Sequence, residues 1–296
     1  MKHMAKAIAF PGQGVQAVGM DRLIRGTSAW ERVAEASDIL GFDLARLMAE
    51  GPEDKLQQTQ YAQPAVFVTC FALWQLCCAG EEPAAYVGHS LGEVTALAAA
   101  GAFTFAQGVE LVAKRSECMA EPRGGMLAIL GLEVEELESL CSQVQEEHWV
   151  QVANINAPGQ IVVSGKEEGL AVVAGLAKER GARRVVPLKV SGPFHSQLMA
   201  PAAEAFGRYV AQLRIQDVTV PVVSNHTSEL LSSGEQIRAE LVDQLTRPVR
   251  FTENCQALAK LGVDSLIEVS PSPVVGPLAR RTVSTLKITL ASPGGM

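Results

Sequence analysis

The stretch "AYVGHSLGEV" sets Ser90 two residues from Gly88 and two from Gly92, the G-x-S-x-G spacing of an activated serine nucleophile. An apolar, strand-like run precedes it and a helix-like run of small residues follows. A serine on a sharp strand-to-helix turn holds its hydroxyl clear of the backbone, in a conformation that bulky neighbours would obstruct. The glycines remove that obstruction. The helix start beyond offers free backbone N–H groups and a positive dipole end, which suit a developing oxyanion. A glycine-bounded turn without chemistry is the alternative for the motif alone, and the strand–turn–helix context favours the nucleophile.

A serine needs a base. Of the five histidines, His3 lies near the start, and His148 and His226 sit in polar, loop-like sequence. His89 adjoins the serine, but neighbours on a sharp turn diverge. His195, in "VSGPFHSQLM", follows the last strand of the central region, a place from which a residue can face a cleft. A hydrogen-bonded structural histidine is the alternative there. An α/β-hydrolase orders its triad Ser, Asp or Glu, His. No aspartate lies between Ser90 and His195, and the nearest preceding acid, Glu179, belongs to the solvated run "AKERGARR". The expectation is therefore a dyad whose histidine is oriented by a backbone carbonyl. Such a serine is tuned to activated acyl donors such as thioesters.

Arg115 shares a helical face with Val112 and Met119 in "FAQGVELVAKRSECMA". An arginine on an apolar stripe either snorkels to solvent or meets an anion, and its planar fork binds a carboxylate bidentately. "AFPGQG" (9–14) reads as a strand running into a glycine-rich turn that can bring backbone N–H groups to a ligand. It lacks the Gly-Lys-Ser/Thr ending of a P-loop.

These residues need a scaffold. Short apolar runs alternate with longer helix-like stretches, the pattern of an α/β protein. Strands are predicted at 5–10, 84–88, 220–225 and 265–269, and "PAVFVTCFALWQLCCAG" reads as a helix buried on nearly every face. The middle differs in texture. "GGMLAILGL", "WVQVANINA", "QIVVSG" and "RRVVPLKV" are strand-like, with helix-like runs after the first and third. A β-α-β-β-α-β order is that of a ferredoxin-like unit. The expected division is a small inserted subdomain at 125–190 within a larger α/β domain formed by 1–124 and 191–296.

With 296 residues, 48% of them hydrophobic, the chain can bury one large core with a smaller satellite. Its formal net charge of −7 argues against a general nucleic-acid binder, which needs clustered cations. No apolar run reaches membrane-spanning length, and the apolar start is too short for a signal-peptide core. Six cysteines without C-x-x-C spacing read as reduced core thiols, so the expected compartment is the cytoplasm.

Taken together, "FPGQG", "GHSLGE", Arg115, "NINAPGQIVVSG", "GPFHS" and "QLTRPVRF" closely resemble the malonyl-CoA:acyl-carrier-protein transacylase family over nearly the whole chain. That family includes the fatty-acid synthesis enzyme and polyketide synthase acyltransferases. The resemblance implies an α/β-hydrolase-like domain carrying the ferredoxin-like insert. It makes Ser90 the acyl nucleophile and His195 its base, with oxyanion-hole amides from Gln13 and Leu91. Arg115 would hold the free malonyl carboxylate, and the main-chain carbonyl of Gln244 would orient His195. Asn154 and Asn156 match the pocket-side loop, and Phe194 matches a pattern associated with malonyl rather than methylmalonyl.

The implied partners are malonyl-CoA and an acyl carrier protein, with neither cofactor nor metal. Carrier proteins are usually acidic, so Arg183 with Arg184, or Arg280 with Arg281, are the candidate contacts, the first pair preferred because its strand leads to His195. Two stretches depart from the family: "EVSPSPVVG" stands where an acidic residue and Gly-Pro-Gly are usual, and "MAEPRGGML" is shortened. The competing reading is a serine acyl hydrolase that clears carrier-protein thioesters. Arg115 discriminates, because a hydrolase of uncharged acyl groups gains nothing from a guanidinium in its pocket.

Overall fold

The computed structural model describes residues 5–293; His3 lies outside the described residues. β1 (Ala5–Phe10) and β2 (Ala85–Gly88) are parallel neighbours, with Ile8 opposite Tyr86 and Phe10 opposite Gly88. Both are covered on two faces, which is why they read as apolar runs rather than as alternating ones. Between them the chain forms α1 (Glu31–Leu40), α2 (Leu44–Glu50), α3 (Glu53–Leu56) and α4 (Thr59–Cys77). α4 is buried almost continuously from Ala62 to Leu73, as its unbroken hydrophobicity predicts.

α5 (Leu91–Ala99) and α6 (Phe105–Met119) follow β2. Every residue of α5 is buried, because it is wedged between the sheet, α4 and α6. The central region then runs β3 (Gly125–Leu130), α7 (Val134–Gln145), β4 (Val150–Ala157), β5 (Gln160–Gly165), α8 (Glu167–Glu179) and β6 (Arg184–Pro187). Its strands form a separate antiparallel sheet in the order β4-β5-β3-β6. The two faces of that sheet divide by the period-two rule. Leu127, Ile129, Ile161 and Val163 pack against α7 and α8, whereas Met126 and Val162 turn to the larger core.

α9 (Ala200–Val210), β7 (Val222–Val223), β8 (Leu230–Leu231), α10 (Gly234–Asp243), α11 (Phe251–Lys260), β9 (Val263–Glu268), α12 (Val275–Thr282) and β10 (Lys287–Leu290) complete the chain. The first sheet has the order β10-β9-β1-β2-β7-β8, parallel except for β8. The fold is thus α/β with two sheets and covering helices. The strand predicted over 220–225 shrinks to two residues. Pro221 has no N–H for the ladder, and Asn225 leaves the sheet to bond the turn after β2. β8 and β10 were not legible, being two and four residues long at the two edges of the sheet. Among the described residues no helix is long and apolar enough to cross a membrane.

Candidate active site

Ser90 stands between the end of β2 and the first turn of α5, at the carboxyl end of a central parallel strand where α/β folds place their ligands. Its φ of 54° lies in the left-handed region that a non-glycine residue occupies only under constraint. The flanking glycines are required by close approach. A Cβ on Gly88 would lie 2.0 Å from the Gly92 carbonyl carbon, and one on Gly92 would lie 2.2 Å from the Phe10 carbonyl oxygen. The turn therefore presses directly on β1, which brings "FPGQG" alongside it. Leu91 opens α5, so its N–H has no carbonyl one turn earlier in the helix to bond. Gln13, in the turn after β1, lines the same cavity as Ser90.

The Ser90 hydroxyl lies 2.7 Å from His195 Nε2, although 105 residues separate them in sequence. His195 Nδ1 lies 2.8 Å from the Gln244 main-chain oxygen. A carbonyl only accepts, so Nδ1 carries the proton and Nε2 is free to accept from the serine. His195 is 2% exposed, and burial, then the neighbouring Arg115 guanidinium, push its pKa down to about 3. The imidazole is neutral at physiological pH, as a proton acceptor must be. Its backbone also sits at positive φ, 56°, in a loop braced by Ser164 on Phe194 O and by Gln151 on His195 O. Among the described residues no carboxylate bonds the His195 ring.

Arg115 is 1% exposed on the inner face of α6, so it does not snorkel. Nη1 donates to Gln63 Oε1 at 2.6 Å and Nη2 to Gln244 Oε1 at 2.7 Å, with Ser90 Oγ 3.4 Å away. Burial lowers its pKa to about 10, which leaves it charged. A buried cation held by neutral amides, beside a nucleophile, is an open place for an anion.

Ser90, His195 and Gln13 border a cavity of about 430 Å³ lined also by Asn154, Asn156, Phe194, Val275 and Leu278. Asn156 Oδ1 bonds His89 Nε2 at 2.7 Å, so the His89 ring turns away from Ser90 as a neighbour on a sharp turn does. Burial lowers the His89 pKa. The four candidate arginines are all exposed. Arg281 bonds Gln160 Oε1 and Pro158 O, and Arg183 lies over Gly131 and Gly159, so one member of each pair flanks the same β4–β5 turn. Gln160 lines the cavity, which places that turn at its rim.

Several buried polar contacts around Ser90, including those of the Gln244 side chain, escaped the sequence reading. Asn225 Oδ1 accepts the Ser90 N–H at 2.6 Å, and Gln244 Nε2 donates to Ser90 O at 3.1 Å. Glu93, fully buried, accepts from both Asn225 N–H and Gln244 Nε2. Burial, then the nearby Glu240 charge, hold Glu93 well above the usual carboxylate range. Burial pushes Glu240 up as well, but its bonds to His226 and Ser224 together with the His226 charge outweigh that and leave it low. Glu93 alone had a signal, an acid in the otherwise apolar run "LGEVTALAAA". Among the described residues there is no cluster of three His, Cys, Asp or Glu side chains that could hold a metal.

An α/β fold with a strained serine after a central strand, and a neutral imidazole at its hydroxyl, has the layout of enzymes that form acyl-serine intermediates. Comparison with known proteins narrows the class. Residues 8–292 match the acyl transferase domain family. The malonyl CoA-acyl carrier protein transacylase of Bacillus subtilis (strain 168) is 42% identical over 294 residues, covering 97% of this chain and 93% of that protein. The crystal structure of an acyl-carrier-protein S-malonyltransferase from Burkholderia pseudomallei 1710b superposes with a TM-score of 0.93 at 38% identity, covering 98% of this chain and 96% of that one. A malonyl-transacylase solved in complex with a type II polyketide synthase acyl-carrier protein gives 0.93 at 37% identity, with 97% and 96% covered. The chain belongs to the acyl transferase domain family.

Proposed function

We propose that this protein moves a malonyl group from malonyl-CoA to the phosphopantetheine thiol of an acyl carrier protein, in fatty-acid or polyketide synthesis. The observation that carries the reading is the buried Arg115 guanidinium 3.4 Å from Ser90 Oγ, beside the 2.7 Å serine–histidine contact. A malonyl ester on Ser90 has its free carboxylate two carbons beyond the ester carbonyl, within reach of that fork. The names of the relatives support the same donor and acceptor.

The steps follow from the atoms. Ser90 Oγ attacks the thioester carbon while His195 Nε2 takes its proton. The carbonyl oxygen becomes an oxyanion facing the N–H groups of Leu91 and Gln13. Collapse breaks the carbon–sulfur bond, and coenzyme A leaves with the proton from His195. The carrier thiol then gives its proton to His195 and attacks the malonyl ester, and Ser90 Oγ regains the proton as it departs. Gln244 holds the imidazole in the required tautomer. Arg115 is one cause of the low His195 pKa, so pairing it with the malonyl carboxylate strengthens the base once the donor is seated. Asn154, Asn156 and Phe194 shape the pocket, and these steps use no resident cofactor.

We read 1–124 and 191–296 as a hydrolase-like catalytic domain and 125–190 as a ferredoxin-like subdomain. The β-α-β-β-α-β order and the β4-β5-β3-β6 sheet support that division. The pocket lies between the two parts. Arg183 and Arg281, at the rim, are the contacts best placed for an acidic carrier protein. The test is to load the protein from labelled malonyl-CoA and then add holo carrier protein. Transfer to the carrier thiol supports the reading. Release of free malonate at the same rate with or without carrier assigns a hydrolase instead.

A further inference from the structure

Glu93 lies on the first turn of α5, fully buried, and no step of the transfer uses it. Its Oε1 accepts the Asn225 backbone N–H at 2.7 Å, and its Oε2 accepts Gln244 Nε2. Those two residues bond the serine turn on every side. Asn225 Oδ1 takes the Ser90 N–H and its Nδ2 donates to Gly88 O, each at 2.6 Å. Gln244 Nε2 donates to Ser90 O, its Oε1 accepts from Arg115, and its main-chain oxygen accepts from His195. One carboxyl group thus stands behind the nucleophile, the base and the guanidinium.

We propose that Glu93 is a positioning residue: through Asn225 it fixes the strained serine turn, and through Gln244 it aims the guanidinium that selects the acyl group. This rests on the malonyl-transfer reading above. The physical logic lies in donors and acceptors. The Gln244 amide has one donor end and one acceptor end. Glu93 offers it an acceptor, which turns its NH2 inward and leaves Oε1 for Arg115. Both Glu93 oxygens act as acceptors, one toward the Asn225 N–H and one toward the Gln244 NH2. Glu240 also accepts the Asn225 N–H, at 3.1 Å, but its other oxygen is held by His226 and Ser224. The Gln244 arm is therefore left to Glu93. Without that acceptor the Gln244 NH2 keeps only the 3.1 Å bond to Ser90 O, and the amide that holds Arg115 is less firmly aimed.

The test compares Glu93→Met, of similar length but without acceptors, with Glu93→Gln, which keeps an acceptor for Gln244. Acylation from malonyl-CoA and from acetyl-CoA is read by intact mass, and Ser90 reactivity by a fluorophosphonate probe. Glu93→Met lowers the malonyl-to-acetyl ratio about tenfold and slows probe labelling, on the scale of small misplacements in an active site. Glu93→Gln stays within about threefold of the parent ratio. In an Arg115→Ala background Glu93→Met leaves the ratio unchanged, which general destabilisation does not predict. Should Glu93→Met not fold, Gln244→Met reads the same arm while keeping the main-chain carbonyl for His195. A parent-like ratio in Glu93→Met, or in Gln244→Met if that variant stands in for it, overturns the proposal. Failure of the parent protein to take malonyl overturns the functional reading instead, and probe labelling still decides the serine-turn arm.

Discussion

Arg115→Ala separates binding of the malonyl carboxylate from everything else the site does. The side chain is 1% exposed, so solvent neither screens its charge nor replaces it when it is removed. Breaking one partner of a buried, hydrogen-bonded ion pair costs about 3–5 kcal/mol. At about 1.4 kcal/mol per factor of ten, that is roughly 10²- to 4 × 10³-fold in kcat/KM for malonyl-CoA. Acetyl-CoA brings no carboxylate and escapes this loss. Both donors share any effect of losing the 3.4 Å contact with Ser90 Oγ. Stability is a poor reader here, because two effects oppose. Gln63 Oε1 and Gln244 Oε1 lose their donor, at about 1–3 kcal/mol each, while an expensive buried charge disappears. The assay is therefore the ratio of malonyl to acetyl loading on Ser90, followed by stopped-time intact mass. A ratio that falls by roughly two orders of magnitude or more supports the argument. Equal proportional loss for the two donors refutes it and leaves Arg115 a structural residue.

His195 has a folded pKa below its unfolded value, so the unfolded chain binds the extra proton between about pH 6.5 and 3. Stability is then lost as pH falls through that window, at up to about 1.4 kcal/mol per pH unit for this group; His195→Asn should flatten the acid limb of a denaturation-versus-pH series, and an unaltered slope counts against the assigned burial. Gly92→Ala puts a Cβ about 2.2 Å from the Phe10 carbonyl, backbone against backbone, and should cost about 1–3 kcal/mol or more, read as a fall in Tm or loss of soluble protein. Charge reversal of Arg183 together with Arg281 to Glu should raise KM for the carrier protein and flatten its salt dependence, while self-acylation from malonyl-CoA stays unchanged. An unaltered carrier-protein KM removes the β4–β5 rim from the docking surface.

Much of this arrangement was legible because its causes are local. The strand–turn–helix around Ser90 follows from a glycine-bounded motif, and the inserted sheet follows from alternating apolar runs. The lack of any aspartate between Ser90 and His195 pointed to a carbonyl-oriented base, and the Gln244 oxygen at 2.8 Å matches that expectation. What stayed hidden depends on long-range packing. Asn225 read as the end of a strand, yet it leaves the sheet to bond a turn 135 residues away. Gln63 is one of three glutamines in α4, and the apolar faces of that helix gave no reason to aim it at Arg115. The two arginine pairs were adjacent in sequence, but consecutive side chains diverge, so the structure gathers one from each. The short edge strands β8 and β10 carry too few residues for a periodic pattern.

The central claim, that Ser90 carries the malonyl group during transfer, is tested most directly by intact-mass spectrometry after exposure to malonyl-CoA, followed by peptide mapping. The account predicts one added malonyl group per chain, located on the peptide containing Ser90, absent from Ser90→Ala and removed when holo carrier protein is added. No adduct on the parent protein, or an adduct of unchanged mass on Ser90→Ala, contradicts it.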